Sequence, residues 1–219
     1  TLLVDLSGSV TGPLLTSLTR AVDRVATTLR PTDRVHLVSF NQYISERPAP
    51  VEPGTPLSSG LSAPSGGTSL FDALIASAIR PRNAEFRPLL IAFTDGDDST
   101  SFLDERTVLD VARRAGVSIF LVAAVDRTSP RDDRPLRHRA LFDAVTRLTG
   151  GEVALIGRND DVGDAFVRAL ANFRNSYVVR YQVEGGQQPG WHQVTVRIKR
   201  EGQFDVRARQ GYFATAPAR

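Results

Sequence analysis

The chain has 219 residues, a formal net charge of +3 and 41% hydrophobic residues, with no cysteine, no methionine and 3 histidines. That excludes disulfides, thiol nucleophiles, iron–sulfur clusters and cysteine-based zinc sites, and leaves chemistry built on carboxylates, hydroxyls and hard cations. Lys199 is the only lysine among 27 basic residues, so arginines account for the sequence pI of about 9.8, and a charge of +3 is weak evidence for a nucleic-acid partner.

Residues 1–5 form an apolar run that ends in a carboxylate, which predicts a buried strand. Apolar residues at Leu14, Leu15, Leu18, Ala21, Val22, Val25 and Leu29 have helical spacing, and Pro13 suits a first helical turn, so Pro13 to Arg30 is a predicted helix. Arg34 to Phe40 is β-rich, Asn41-Gln42 is a turn, and Tyr43 to Arg47 returns as a strand. A loop rich in Pro, Gly and Ser fills 48–67. Ser69 to Arg80 is a helix stopped by Pro81, and Leu89 to Phe93 is a continuous apolar run.

Further on, Asp104 to Ala115 is a helix and Val117 to Val125 an apolar strand. Residues 126–136 make a charged loop within an arginine cluster that ends at Arg137 and Arg139. Leu136 to Leu148 is a helix, Glu152 to Ile156 a strand and Asp160 to Arg174 a helix. Fully apolar strands alternating with helices predict a doubly wound, mostly parallel α/β sheet covered on both faces. No apolar run approaches the roughly 20 residues of a membrane span. No signal peptide is visible, but the chain opens inside an apolar run without an initiator Met, as a fragment would.

The pattern changes after Asn175. Ser176 to Val183, Gln193 to Lys199 and Gln203 to Arg209 are predicted strands with no helix between them, and the last two alternate apolar with polar residues. The expected organisation is a main domain over 1–174 and an antiparallel β extension over 175–219, packed on or beside it. Trp191 is expected to cover the seam. Arg197, Lys199, Arg200, Arg207 and Arg209 read as a solvated strand face rather than a nucleic-acid surface.

Sites in open α/β sheets form beyond the carboxyl ends of the parallel strands. Asp5-Leu6-Ser7-Gly8-Ser9 follows the first strand, Gly66-Gly67-Thr68-Ser69 enters a helix, and Thr94-Asp95-Gly96 follows Leu89 to Phe93. Short oxygen side chains converging from these three segments suit magnesium, which prefers octahedral oxygen coordination. Asp97 and Asp98 are either outer ligands or a solvated acidic turn. His36, His138 and His192 do not lie at parallel-strand carboxyl ends, and there is no Gly-x-Ser-x-Gly elbow or phosphate loop, which argues against a serine hydrolase.

Asp5-x-Ser7-x-Ser9, Thr68 and Thr94-Asp95-Gly96 together resemble the metal-ion-dependent adhesion site of von Willebrand factor A domains. The resemblance covers about residues 1–174, and the tail from Tyr177 to Phe213 resembles an acidobacterial subfamily. The resemblance implies the strand order 3-2-1-4-5-6 and a cation, Mg²⁺ with Mn²⁺ or Ca²⁺ as substitutes, bound at Asp5, Ser7, Ser9, Thr68 and Asp95. It implies a protein partner whose acidic side chain completes the metal shell, a final helix (160–174) able to shift, and an extracytoplasmic place. It implies a binding module rather than an enzyme. Two alternatives stand beside it: a magnesium phosphohydrolase with Asp5 as nucleophile, and a structural domain with an empty site.

Overall fold

The computed structural model describes residues 1–46, 56–81, 83, 85–125, 137–157, 160–180 and 188–214. The elements in chain order are β1 (Leu2–Asp5), α1 (Gly12–Thr28), β2 (Leu37–Phe40), β3 (Ile44–Glu46), α2 (Leu70–Ile79), β4 (Leu89–Thr94), α3 (Glu105–Arg114), β5 (Ser118–Ala124), α4 (Arg139–Thr149), β6 (Val153–Ile156), α5 (Val162–Arg174), β7 (Gly190–Gln193) and β8 (Gly211–Ala214). Six strands form one sheet in the order β3-β2-β1-β4-β5-β6. Every pairing in it is parallel except β2 with β3, so the fold is the expected doubly wound α/β sheet with an antiparallel edge strand.

The strands are apolar throughout because both faces are covered, and alternation sends successive residues to opposite cores. Leu2, Val4, Ile91, Phe93, Phe120 and Val122 pack with α1 and α5 on one face. Leu3, Leu90, Ala92, Ile119, Leu121 and Ala123 pack with α2, α3 and α4 on the other. Burying large side chains on two faces is the main stabilising term, at roughly 1.5–3 kcal/mol for each fully buried Leu, Val or Phe.

Local chemistry sets the helix boundaries. Pro13 occupies the first turn of α1. The Asp104 carboxylate accepts from the Thr107 N–H at 2.9 Å and caps α3, and Asp161 caps α5 by accepting from Gly163 at 2.7 Å. Gly150 ends α4 in the left-handed region at φ 75°. The second half of the long loop is tied down: Leu57 is fully buried, and Ser58 donates its N–H and hydroxyl to Asp23 at 2.8 and 2.7 Å.

The C-terminal region departs from expectation. The antiparallel extension exists, but as a four-residue pairing of β7 with β8. Residues 176–180, 194–199 and 203–209 are not in strands, and 181–183 lie outside the described residues. Tyr177, Val178, Val179, Val196, Ile198, Phe204 and Val206 in these segments are exposed, and an isolated two-stranded ribbon is marginal at best. The arginine-rich loop at 126–136 also lies outside the described residues. Trp191 is 36% exposed and sits across the strands from Phe213. Phe213 packs against α3, with the Arg114 guanidinium 4.1 Å from its ring centre.

Candidate metal centre

Three loops meet at the carboxyl ends of β1 and β4, knit mainly by backbone bonds. Gly8 N–H donates to the Gly66 carbonyl at 3.0 Å, and Ser65 N–H to the Leu6 carbonyl at 2.9 Å. Ser99 and Thr100 N–H groups both donate to the Thr68 carbonyl, at 2.8 and 3.0 Å, while Thr68 N–H donates to the Ser99 hydroxyl at 2.9 Å. The β2–β3 turn holds the next residue: Ser69 N–H donates to the Asn41 carbonyl at 2.8 Å. Gly66 sits at φ 73°, where a side chain would also strike Gln42. The loops bearing Asp5, Ser7 and Ser9, Thr68, and Asp95 are thus brought together as the sequence pattern required.

Asp5 is fully buried at the end of β1 and Ser7 is 1% exposed, while Ser9 lies at the surface. Asp5 Oδ1 accepts from Ser7 N–H at 2.9 Å. Its Oδ2 accepts from the Thr94 hydroxyl at 3.0 Å, which in turn accepts from Gly96 N–H at 3.0 Å. Ser7 Oγ and Ser9 Oγ are 3.1 Å apart. Burial pushes the Asp5 carboxyl up to about 6; the Ser7 and Thr94 hydrogen bonds oppose that rise, and the negative charge of Asp95 adds to it. Thr68 is 5% exposed.

Asp95 Oδ1 is buried and has no hydrogen-bond partner among the described residues. A buried carboxylate oxygen left unpaired is costly, and two carboxylates in one crevice repel. Both penalties are relieved by a hard cation. The donor set, two carboxylates and three hydroxyls, has the oxygen chemistry that Mg²⁺, Mn²⁺ or Ca²⁺ accepts. Among the described residues no group of three or more His, Cys, Asp or Glu side chains gathers as a metal site. A centre here must therefore use hydroxyls.

The neighbouring acids have other work. Asp98 Oδ1 accepts from Phe71 N–H at 3.2 Å and from the Ser101 hydroxyl at 2.5 Å, so it satisfies the amino end of α2. Asp97 is exposed, 3.9 Å from Arg137. Sequence reasoning assigned no role to the Thr94 hydroxyl, which orients Asp5, or to Ser99, which positions Thr68. A hydroxyl closing an apolar strand was the visible sign of the first; the second depends on loop packing and left no local sign.

The histidines stand apart from this cluster. His36 precedes β2, where burial, then the Arg80 guanidinium at 3.2 Å, hold it below its ordinary value. His138 Nδ1 is 2.7 Å from Glu105, and the ring packs edge-on against Phe71. His192 stacks on Tyr212.

The model of the von Willebrand factor type A domain matches residues 1–141. The chain belongs to this family. Von Willebrand factor A domains generally act as protein-interaction modules rather than enzymes, and they often bind a divalent metal. Solved structures agree on the fold. BatB from Bacteroides thetaiotaomicron is 14% identical with a TM-score of 0.58, over 80% of this chain and 98% of that one. An aerotolerance-related membrane protein from Bacteroides fragilis is also 14% identical, with a TM-score of 0.59 and the same 80% and 98% coverage. The SpRpn10 VWA domain is 13% identical with a TM-score of 0.55, over 76% of this chain and 92% of that one. No curated protein matches by sequence.

Proposed function

We propose that this von Willebrand factor A domain captures a protein partner through a divalent cation held by Asp5, Ser7, Ser9, Thr68 and Asp95. Mg²⁺ is the preferred ion, with Mn²⁺ or Ca²⁺ as substitutes. One observation carries the proposal: the orphaned, buried Asp95 Oδ1 beside the fully buried Asp5 carboxylate. The bound cation supplies an electrophilic point at which a partner's Asp or Glu completes the shell. The chain's own part is to fix the ligands. Thr94 and the Ser7 N–H orient Asp5, and the Ser99–Thr68 bonds seat Thr68. Hydroxyl ligands carry no charge, so the ion keeps its appetite for an external carboxylate.

The proposal keeps residues 1–174 as the A domain, ending with α5, and 175–219 as its extension. It includes an extracytoplasmic location, in keeping with the membrane protein among the solved neighbours. Among the described residues no helix is long and apolar enough to cross a membrane.

The test is Mn²⁺ titration followed by electron paramagnetic resonance, together with pull-downs in Mg²⁺ and in EDTA. Wild type is expected to bind one Mn²⁺, Asp5→Ala and Thr68→Ala at least tenfold more weakly, and EDTA is expected to release the partner. Equal Mn²⁺ binding by wild type and both variants, or partner capture indifferent to EDTA, would overturn the proposal. No Mn²⁺ binding by folded wild type would leave the structural alternative.

A further inference from the structure

β1, β2 and β4 run parallel, so the turn after β2 and the loop after β4 emerge at the same end of the sheet as Asp5. Each carries an aromatic side chain into solvent. Tyr43, in the β2–β3 turn, is 70% exposed, and Phe102, in the loop from β4 to α3, is 97% exposed with Leu103 beside it at 41%. Single exposed apolar residues are ordinary on a protein surface. These two differ in how firmly the backbone beneath them is held and in what it is held to.

Both are pinned to the segment that carries Thr68. The Asp72 carboxylate, in the first turn of α2, accepts from the N–H groups of Phe102 and Leu103 at 2.9 and 3.0 Å. Asp72 N–H in turn donates to the Ser101 hydroxyl at 3.2 Å, and Thr100 N–H donates to the Thr68 carbonyl at 3.0 Å. On the other side, Asn41 closes the turn on Tyr43. Tyr43 N–H donates to Asn41 Oδ1 at 2.8 Å, and Asn41 N–H to the Tyr43 carbonyl at 3.0 Å. The Asn41 carbonyl accepts from both the N–H and the hydroxyl of Ser69. Two residues of chain reach at most about 7 Å, so the backbone of each aromatic lies within that distance of a residue bonded to Thr68 or Ser69.

A side chain held out on an ordered backbone loses little freedom when a partner covers it, and aromatics dominate the energetics of protein interfaces. In the strand order the two lie on opposite sides of β1, because β2 and β4 are two strand spacings apart, about 10 Å. A small carboxylate seated on the cation is too short to reach both. An extended peptide is long enough: alternate side chains point the same way, and the residues two before and two after a central acid are about 13 Å apart. We infer that the segment this domain captures has the pattern apolar-x-acid-x-apolar. Its carboxylate completes the cation's shell, and its two apolar side chains lie on Phe102 with Leu103 and on Tyr43. This rests on the metal-dependent capture proposed above, and adds the residues that choose among acidic partners.

The test uses the full chain and a phage-displayed library of twelve-residue peptides with aspartate or glutamate fixed at the centre and random residues elsewhere, bound in Mg²⁺ and eluted with EDTA. Eluted clones are expected to be enriched in Leu, Ile, Val or Phe two residues to either side of the acid. The most enriched peptide, labelled with fluorescein and followed by anisotropy, is expected to bind at least tenfold more weakly to Tyr43→Ser/Phe102→Ser. That variant should keep the Mn²⁺ affinity and thermal melt of wild type, because both side chains stand in solvent. Ile79→Ser, at the far end of α2 and 63% exposed, should bind the peptide as wild type does. With Mn²⁺ bound by wild type, three results would each overturn this inference alone: no EDTA-eluted clones, clones without the flanking apolar residues, or unchanged peptide affinity in the double variant. Absence of Mn²⁺ binding by wild type would overturn it together with the metal-dependent reading.

Discussion

Replacing Asp5 with asparagine is expected to stabilise the metal-free domain at neutral pH while abolishing cation binding. Burial pushes the folded-state carboxyl up to about 6, against its ordinary value of 3.8. Below pH 3.8 the carboxyl is protonated in both folded and unfolded chains, so Asp5 imposes no penalty there. Between the two values the unfolded chain ionises first, and wild type loses up to about 1.4 kcal/mol per pH unit. Above pH 6 the loss levels off at roughly 3 kcal/mol, equivalent to roughly 6–12 °C in Tm for a chain of this size. Asparagine keeps an acceptor for Ser7 and a polar partner for Thr94 without the charge. Guanidinium unfolding of both proteins in EDTA, from pH 3 to 8, measures the difference. Mg²⁺ at about a hundred times its Kd should return roughly 2.7 kcal/mol to wild type and nothing to the variant. Parallel stability profiles across pH 4–7, or an asparagine variant less stable than wild type at pH 8, would refute the reasoning.

Thr94→Val removes the donor to Asp5 Oδ2 and the acceptor for Gly96 N–H at constant shape; metal-free stability should fall by about 1–3 kcal/mol and Mn²⁺ affinity about tenfold, read by calorimetry. Asp98→Ala should cost about 1 kcal/mol by uncapping α2 yet leave Mn²⁺ affinity within about twofold, which separates a capping role from an outer-ligand one. Gly151→Ala would drive a methyl into the Ile119 carbonyl between β5 and β6, and denaturant unfolding should show a loss of about 3 kcal/mol or more.

The parallel sheet was legible because Leu2–Val4, Leu89–Phe93 and Val117–Val125 are apolar on both alternations, which only a doubly covered strand tolerates. The loop cluster was legible because Asp5, Thr68 and Asp95 each follow a recognisable boundary, a strand end or a glycine pair before a helix. Asp98 was misjudged because sequence spacing cannot show that the amino end of α2, over 25 residues earlier, needs a carboxylate. The C-terminal strands failed for a different reason. Val194–Ile198 and Phe204–Ala208 have the right alternation, but alternation specifies a strand only where something covers the apolar side. The backbone at 195–209 therefore stops short of a full ladder despite its sequence.

Gly67 lies between two neighbours with different allegiances. Gly66 is bonded through its carbonyl to the loop after β1, while Thr68 is bonded through its N–H and carbonyl to the loop after β4. The segment entering α2 thus staples the two loops together from above, while the pairing of β1 with β4 and the Thr94–Asp5 bond join them from below. A cation among Asp5, Thr68 and Asp95 would close a ring already held on both sides, so its arrival would ask little movement of the backbone.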